Sequence, residues 1–334
     1  AQRAAVGRRD GAFELLCTST HDTAQGERVM RILIPIDGSK YAMAAVKYVA
    51  KHLALSKPKV HIELLNAQAP IPSRAARLLG RASCQAYYTE EASKALRPAA
   101  HALSKAGVAA SSRFVVGHAI DVIADAVSKA PGVKAASIDL LVMGTHGHGA
   151  LLRLLMGSVT TGVLARTRTP ILLVRGPLAP APKSNIVLIA TDGSPYGLAA
   201  ARYAIKHRHL FGADAHFQLV HVVPDFLGAY MPDMAGVALP AFSPDEIKRM
   251  QDQAFREAIR PAQQLFEKAQ MPIDTLRLAG EPSQMLSDYA GKHAISALIM
   301  GSHGHGALRQ AILGSVATRV AAHCHTPLLL IRKT

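Results

Sequence analysis

Short apolar runs alternate with longer amphipathic stretches along this chain. ILIPI (32–36), IELL (62–65), FVV (114–116), LLVM (140–143) and ILLV (171–174) lack the every-other-residue polarity of a half-exposed strand. They predict strands covered on both faces. Between them, Tyr41 to Leu55 is alanine-rich, with apolar residues three and four apart, and Ala119 to Val127 repeats that spacing; both predict helices. Further on, Glu281-Pro282 opens a helix with proline in its first turn. Five short apolar strands separated by helices predict a parallel, doubly wound α/β sheet.

The pattern is written twice. RILIPIDGSK at Arg31 matches NIVLIATDGSP at Asn185, and HIELLNAQAP at His61 matches HFQLVHVVPD at His216. SIDLLVMGTHGHG at Ser137 matches ISALIMGSHGHG at Ile295, and RTPILLVR at Arg168 matches HTPLLLIR at His325. The order is the same in both copies, and each copy is domain-sized, so this is a tandem duplication rather than a short-period solenoid. The expected organisation is a first domain over 30–175, a proline-rich semi-rigid linker GPLAPAPKS over 176–184, and a second domain over 185–334. Residues 1–29 match neither copy and are expected to be a disordered or non-native extension, with Met30 as the natural start.

Composition adds limits. With 334 residues, 49% hydrophobic and 18% charged, the chain can form two cores of ordinary size. No apolar run reaches the roughly 18 residues needed to span a bilayer. The three cysteines, Cys17, Cys84 and Cys324, are scattered and form no disulfide framework, which fits a reducing cytoplasmic compartment. The net charge of +15 is uneven: residues 30–184 hold 20 basic and 7 acidic residues, whereas 185–334 hold 14 and 12. That excess favours anionic partners for the first copy, or simply a solvated surface.

The candidate chemistry sits where the strands end. In such sheets ligands lie beyond the carboxyl ends of the strands. After LLVM the chain runs Gly144, Gly147, nine residues, Gly157, Ser158; after LIM it runs Gly301, Gly304, nine residues, Gly314, Ser315. Glycines allow close backbone approach. Ser158 and Ser315 are placed to cap the next helices, whose amino ends attract anions such as phosphate. Asp37 and Asp192 end the first strands, suited either to a ribose or water-held metal, or to capping the following helix. Neither the Walker lysine motif nor the dinucleotide glycine motif occurs.

With these residues in hand, the chain resembles the universal stress protein family, across 30–175 and 185–332. Both copies match that family's G-x2-G-x9-G-[ST] motif. The resemblance implies two five-stranded domains of the adenine nucleotide alpha hydrolase-like kind, packed as an intrachain pseudo-dimer through their last strands, with further homodimerisation open. It implies ATP as ligand, with magnesium accompanying it, in a cytoplasmic regulator of the stress response that works through a protein partner. Gly144, His146, Gly147, Gly157, Ser158 and Val159 would form the phosphate and ribose side of the first site. Gly301, His303, Gly304, Gly314, Ser315 and Val316 would do so in the second. Asp37 and Asp192 would face the nucleoside, and the backbone at Ala67 and Val222 the adenine. Two differences separate the copies: Asn66-Ala67 stands against His221-Val222, and Pro35 against Ala190.

Other readings compete. His146 and His148, and likewise His303 and His305, invite a metal, but no cysteine or acid stands at suitable spacing to complete a ligand set. The same histidines, with Arg153, would serve slow ATP hydrolysis, yet no carboxylate is evidently dedicated to activating water. Arg74, Arg77 and Arg81, with Lys57 and Lys59, make the first copy a candidate polyanion binder; the absence of tryptophan and scarcity of aromatics disfavour single-stranded nucleic acid.

Overall fold

The computed structural model describes residues 8–9, 12–13, 29–53, 60–128, 138–145, 156–176, 185–223, 243–293, 295–304 and 312–332. The chain divides into two compact units, Ala1–Leu178 and Ala179–Thr334.

In the first unit the strands are β1 (Met30–Pro35), β2 (Val60–Gln68), β3 (Ala110–Val116), β4 (Leu140–Gly144) and β5 (Ile171–Val174). All pair in parallel, in the order β3-β2-β1-β4-β5. Helices α1 (Lys40–Leu53), α2 (Ser73–Lys105), α3 (Ala119–Ser128) and α4 (Ser158–Arg166) connect them. Ahead of β1, Ala12 and Phe13 pair antiparallel with Val115 and Phe114 of β3.

The second unit repeats the plan. Its strands are β6 (Ile186–Ala190), β7 (His216–Val223), β8 (Asp274–Ala279), β9 (Ala297–Gly301) and β10 (Leu328–Ile331), ordered β8-β7-β6-β9-β10. Its helices are α5 (Pro195–Lys206), α6 (Pro244–Lys268), α7 (Pro282–Lys292) and α8 (Ser315–His323). In each unit the strand order reverses between the first and fourth strands, so the loops after them diverge and leave a crevice at the carboxyl edge.

The apolar runs explain the cores. Val187, Leu188 and Ile189 of β6, and Leu298 and Ile299 of β9, are wholly buried, as a strand covered by helices on both faces requires. The helices α2 and α6 were not legible as single elements. Each carries an internal proline, Pro98 and Pro261, and α2 also breaks at Gly80, where φ is 77°. Leu96, Ala99 and Leu103, and in α6 Ile259, Ala262 and Phe266, nevertheless keep one buried stripe across each proline.

One buried charge cluster distinguishes the first unit. Glu63, in the middle of β2, is bound by Arg113 at 2.5 Å and Arg31 at 3.6 Å. The matching place in β7 is Gln218, which accepts a hydrogen bond from the Tyr289 hydroxyl at 3.4 Å.

Candidate functional site

The strand-end sequence DGS builds one turn in both units. The Asp192 carboxylate accepts the Ser194 N–H at 3.0 Å, Gly193 takes a φ of 78°, and the Ser194 hydroxyl accepts the Gly197 N–H at 3.2 Å. Asp37 accepts the Ser39 N–H at 2.9 Å, and the Ser39 hydroxyl accepts the Ala42 N–H at 3.1 Å. Of the two roles open to the aspartates, helix capping therefore falls to the serines two residues on. The aspartates turn the backbone and remain beside the crevice.

The loop after β9 leaves the sheet under tight control. Ser302 N–H donates to the Ile331 carbonyl and Gly314 N–H donates to the Ser302 carbonyl, both at 2.8 Å. In the first unit Thr145 N–H bonds the Val174 carbonyl at 3.2 Å, and Gly157 N–H bonds the Thr145 carbonyl at 2.8 Å. The two ends of each loop are thus tied together. Gly301 also packs against helix α5: a Cβ there would lie 2.7 Å from the Tyr196 carbonyl carbon. At Gly144 the same clash would arise 2.6 Å from the Tyr41 carbonyl carbon. A Cβ on Gly304 would meet the Asp192 carboxylate at 2.5 Å, so this loop and the strand-end aspartate face each other.

Ser158 and Ser315 are not the caps predicted for the next helices. Gly157 and Gly314 hold the cap positions, with no side-chain hydrogen bond, and each serine is the first helical residue. The reason is register: the first intrahelical bonds run from Thr161 to Gly157 and from Thr318 to Gly314. The first-turn amides of α8, at Ser315, Val316 and Ala317, have no intrahelical acceptor, and a glycine cap offers them no side chain.

These pieces enclose a cavity of about 490 Å³ in the second unit. It is lined by Asp192 and Val222, by Gly301, His303 and Gly304 of the loop, and by Gly314, Ser315 and Val316 at the start of α8. Every residue assigned to the second site by sequence is in its wall. Thr191, His221, Met300, Pro282 and Leu286 line it too and were missed. Pro282 and Leu286 come from α7, whose packing no local pattern announces. His221 had a signal, its alignment with Asn66.

Electrostatically the cavity is mild: none of the described residues lining it is lysine or arginine. His221 Nδ1 lies 2.9 Å from the Thr191 carbonyl oxygen, and burial pushes its pKa below the ordinary imidazole value. His303 Nδ1 lies 3.0 Å from the Ser302 hydroxyl, and its ring sits 5.2 Å from that of Tyr196.

In the first unit Pro35 ends β1, Asp37 is exposed just beyond it, and Ala67 lies half-buried near the end of β2. Gly144 ends β4, and Gly157, Ser158 and Val159 open α4. His146, Gly147, His148 and Arg153, and in the second copy His305, lie outside the described residues. Among the described residues no group of three or more His, Cys, Asp or Glu is gathered as a metal site, and no helix is long and apolar enough to cross a membrane.

The comparisons with known proteins agree with this architecture. The model of the universal stress protein family matches residues 29–175 and again 183–332. A universal stress protein of Methanocaldococcus jannaschii is 31% identical over 148 residues, covering 44% of this chain and 81% of that one. One from Mycobacterium tuberculosis is 25% identical over 198 residues, covering 59% of this chain and 62% of that one. The crystal structure of a universal stress protein from Archaeoglobus fulgidus superposes with a TM-score of 0.63 at 18% identity, over 91% of this chain and 98% of that one. With the family pattern met twice and nearly end to end, the chain belongs to the universal stress protein family as a tandem two-domain member.

Proposed function

We propose that each domain binds one adenine nucleotide, ATP with its magnesium ion, and that occupancy regulates the protein in a stress response through a partner. One observation carries the reading: the cavity of the second unit is walled by all eight residues that the family pattern assigns to a nucleotide there. Its size, about 490 Å³, falls within the range of small-molecule sites. Its chemistry is divided to suit the ligand. Val222, Leu286 and Met300 give an apolar wall for the base, with the Val222 backbone available to the adenine edge. Asp192 stands ready to accept from a ribose hydroxyl. The first-turn amides of α8 suit phosphate oxygens, each such helix-end interaction contributing about 0.3–1 kcal/mol. With no lysine or arginine among the described lining residues, a bound magnesium ion would supply the remaining neutralisation.

Calorimetric titration of nucleotide-stripped protein with Mg-ATP tests this. Binding of two nucleotides per chain is expected, falling to one in Gly157→Ala and to one in Gly314→Ala. Assay of the same mixtures for ADP separates a nucleotide sensor, expected to turn over slowly or not at all, from a hydrolase. No heat and no thermal stabilisation by Mg-ATP would end the nucleotide reading; for scale, ligand at a hundred times its Kd stabilises by about 2.7 kcal/mol.

A further inference from the structure

The copies differ most usefully at one aligned position. In the first unit the Asn66 side-chain amide donates to the Ile36 carbonyl at 2.7 Å. In the second, His221 Nδ1 approaches the Thr191 carbonyl at 2.9 Å. Ile36 and Thr191 are equivalent residues, each immediately before the strand-end aspartate. A carbonyl oxygen only accepts, so Nδ1 carries the proton and, in the neutral ring, Nε2 does not. Two chemically unlike side chains make the same bond to the same backbone atom.

That bond sits at the heart of the candidate site. It ties the end of the first strand to the second strand one residue before Ala67 or Val222, and so holds together the aspartate and the backbone offered to the base. We propose that Asn66 and His221 are matched positioning residues of the two sites, and that the imidazole makes nucleotide binding weaken in acid at the second site while the first is spared. The inference rests on the nucleotide reading above.

The surroundings set the direction. Asp192 and the Thr191 carbonyl favour the imidazolium, but burial outweighs them and keeps the ring neutral. On the neighbouring strand Arg277 is in register with His221, and it is paired to Asp252 of α6; the Phe255 ring of α6 lies 6.5 Å from the imidazole. The uncharged base, placed at Val222 beside the ring, takes more water from it and disfavours its charge further, while the anionic phosphates lie at the amino end of α8. Binding then releases a proton, and by linkage affinity falls as pH falls through the imidazole value of the ligand-free protein, which burial holds below the ordinary one. The amide of Asn66 does not titrate.

Mg-ATP titrations of the full chain, stepped from about pH 7.5 down through and below the ordinary imidazole value of about 6.5 to the lowest pH at which ligand-free melts show it folded, decide the matter. In wild type, one of the two binding steps should weaken in acid relative to the other. His221→Asn should keep both steps at neutral pH and abolish the difference, and Asn66→His should confer it on the other step. His221→Ala should weaken one step about fivefold at neutral pH, the scale of one net hydrogen bond, with Asn restoring it. ATP's own titration is common to all variants and cancels in the comparison. Thermal melts of the ligand-free variants separate lost folding from lost binding. The pin is overturned if His221→Asn retains the wild-type pH profile, or if His221→Ala binds as tightly as wild type. A wild type that binds no Mg-ATP at neutral pH removes the nucleotide reading, and the pin's role with it.

Discussion

Single residues in this protein have duties that their neighbours define. Gly301 belongs to the repeated glycine-loop motif, yet its nearest constraint is helix α5, whose Tyr196 backbone leaves no room for a methyl group. Gly301→Ala must therefore push the strand and helix apart. A cost of about 1–3 kcal/mol is expected, read as a lower urea midpoint at unchanged m-value. An unchanged midpoint would show that the helix is not seated so closely. The motif's spacing was plain in the sequence; that Gly144 and Gly301 serve packing was not, because the helix they touch lies about a hundred residues away along the chain.

At the scale of elements, the strand-end turn shows how a short sequence is divided into tasks. Asp turns the chain, Gly accepts the positive φ, and Ser caps the helix. Ser194→Ala removes the cap of α5 and leaves its first-turn amides without that acceptor inside the protein. The expected loss is about 1 kcal/mol, measured by chemical denaturation. Asp192→Asn, which leaves Ser194 in place, should preserve the cap and instead weaken nucleotide binding. Equal loss of stability in both variants would contradict this division of tasks. The caps predicted at Ser158 and Ser315 fell one residue late for the same reason: a cap is defined by where helical hydrogen bonding begins, and here it begins with glycine.

At the scale of the whole molecule, three histidines among the described residues link stability to pH. His61, His209 and His221 are all held below the ordinary imidazole value, first by burial, with the Arg31 charge adding to the effect at His61 and the Arg208 charge at His209. The unfolded chain therefore takes up protons near the ordinary value while the folded chain resists them. Stability is full above that value and is lost as pH falls through it. Melting temperature should drop between about pH 7 and about pH 5, the window that spans it. His209→Gln should reduce the drop, since the buried His209 Nε2 has no hydrogen-bond partner. A melting temperature that rises on acidification would refute this.

Sequence alone determined the tandem duplication, the α/β class, the five apolar strands of the first copy with four counterparts in the second, and the spacing of the glycine loops. These are written in local periodicity and in repetition, which need no knowledge of what lies across the fold. By contrast, β8 of the second copy, DTLRLA, has no apolar run and is largely exposed. Tertiary structure decided the rest. It placed Pro282 and Leu286 in the cavity wall and set Asn66 and His221 on equivalent carbonyls. Each of those outcomes depends on which groups meet across the sheet. Parallel pairing joins residues dozens of positions apart, so their contacts are fixed by strand order and register, which no single stretch of the chain contains.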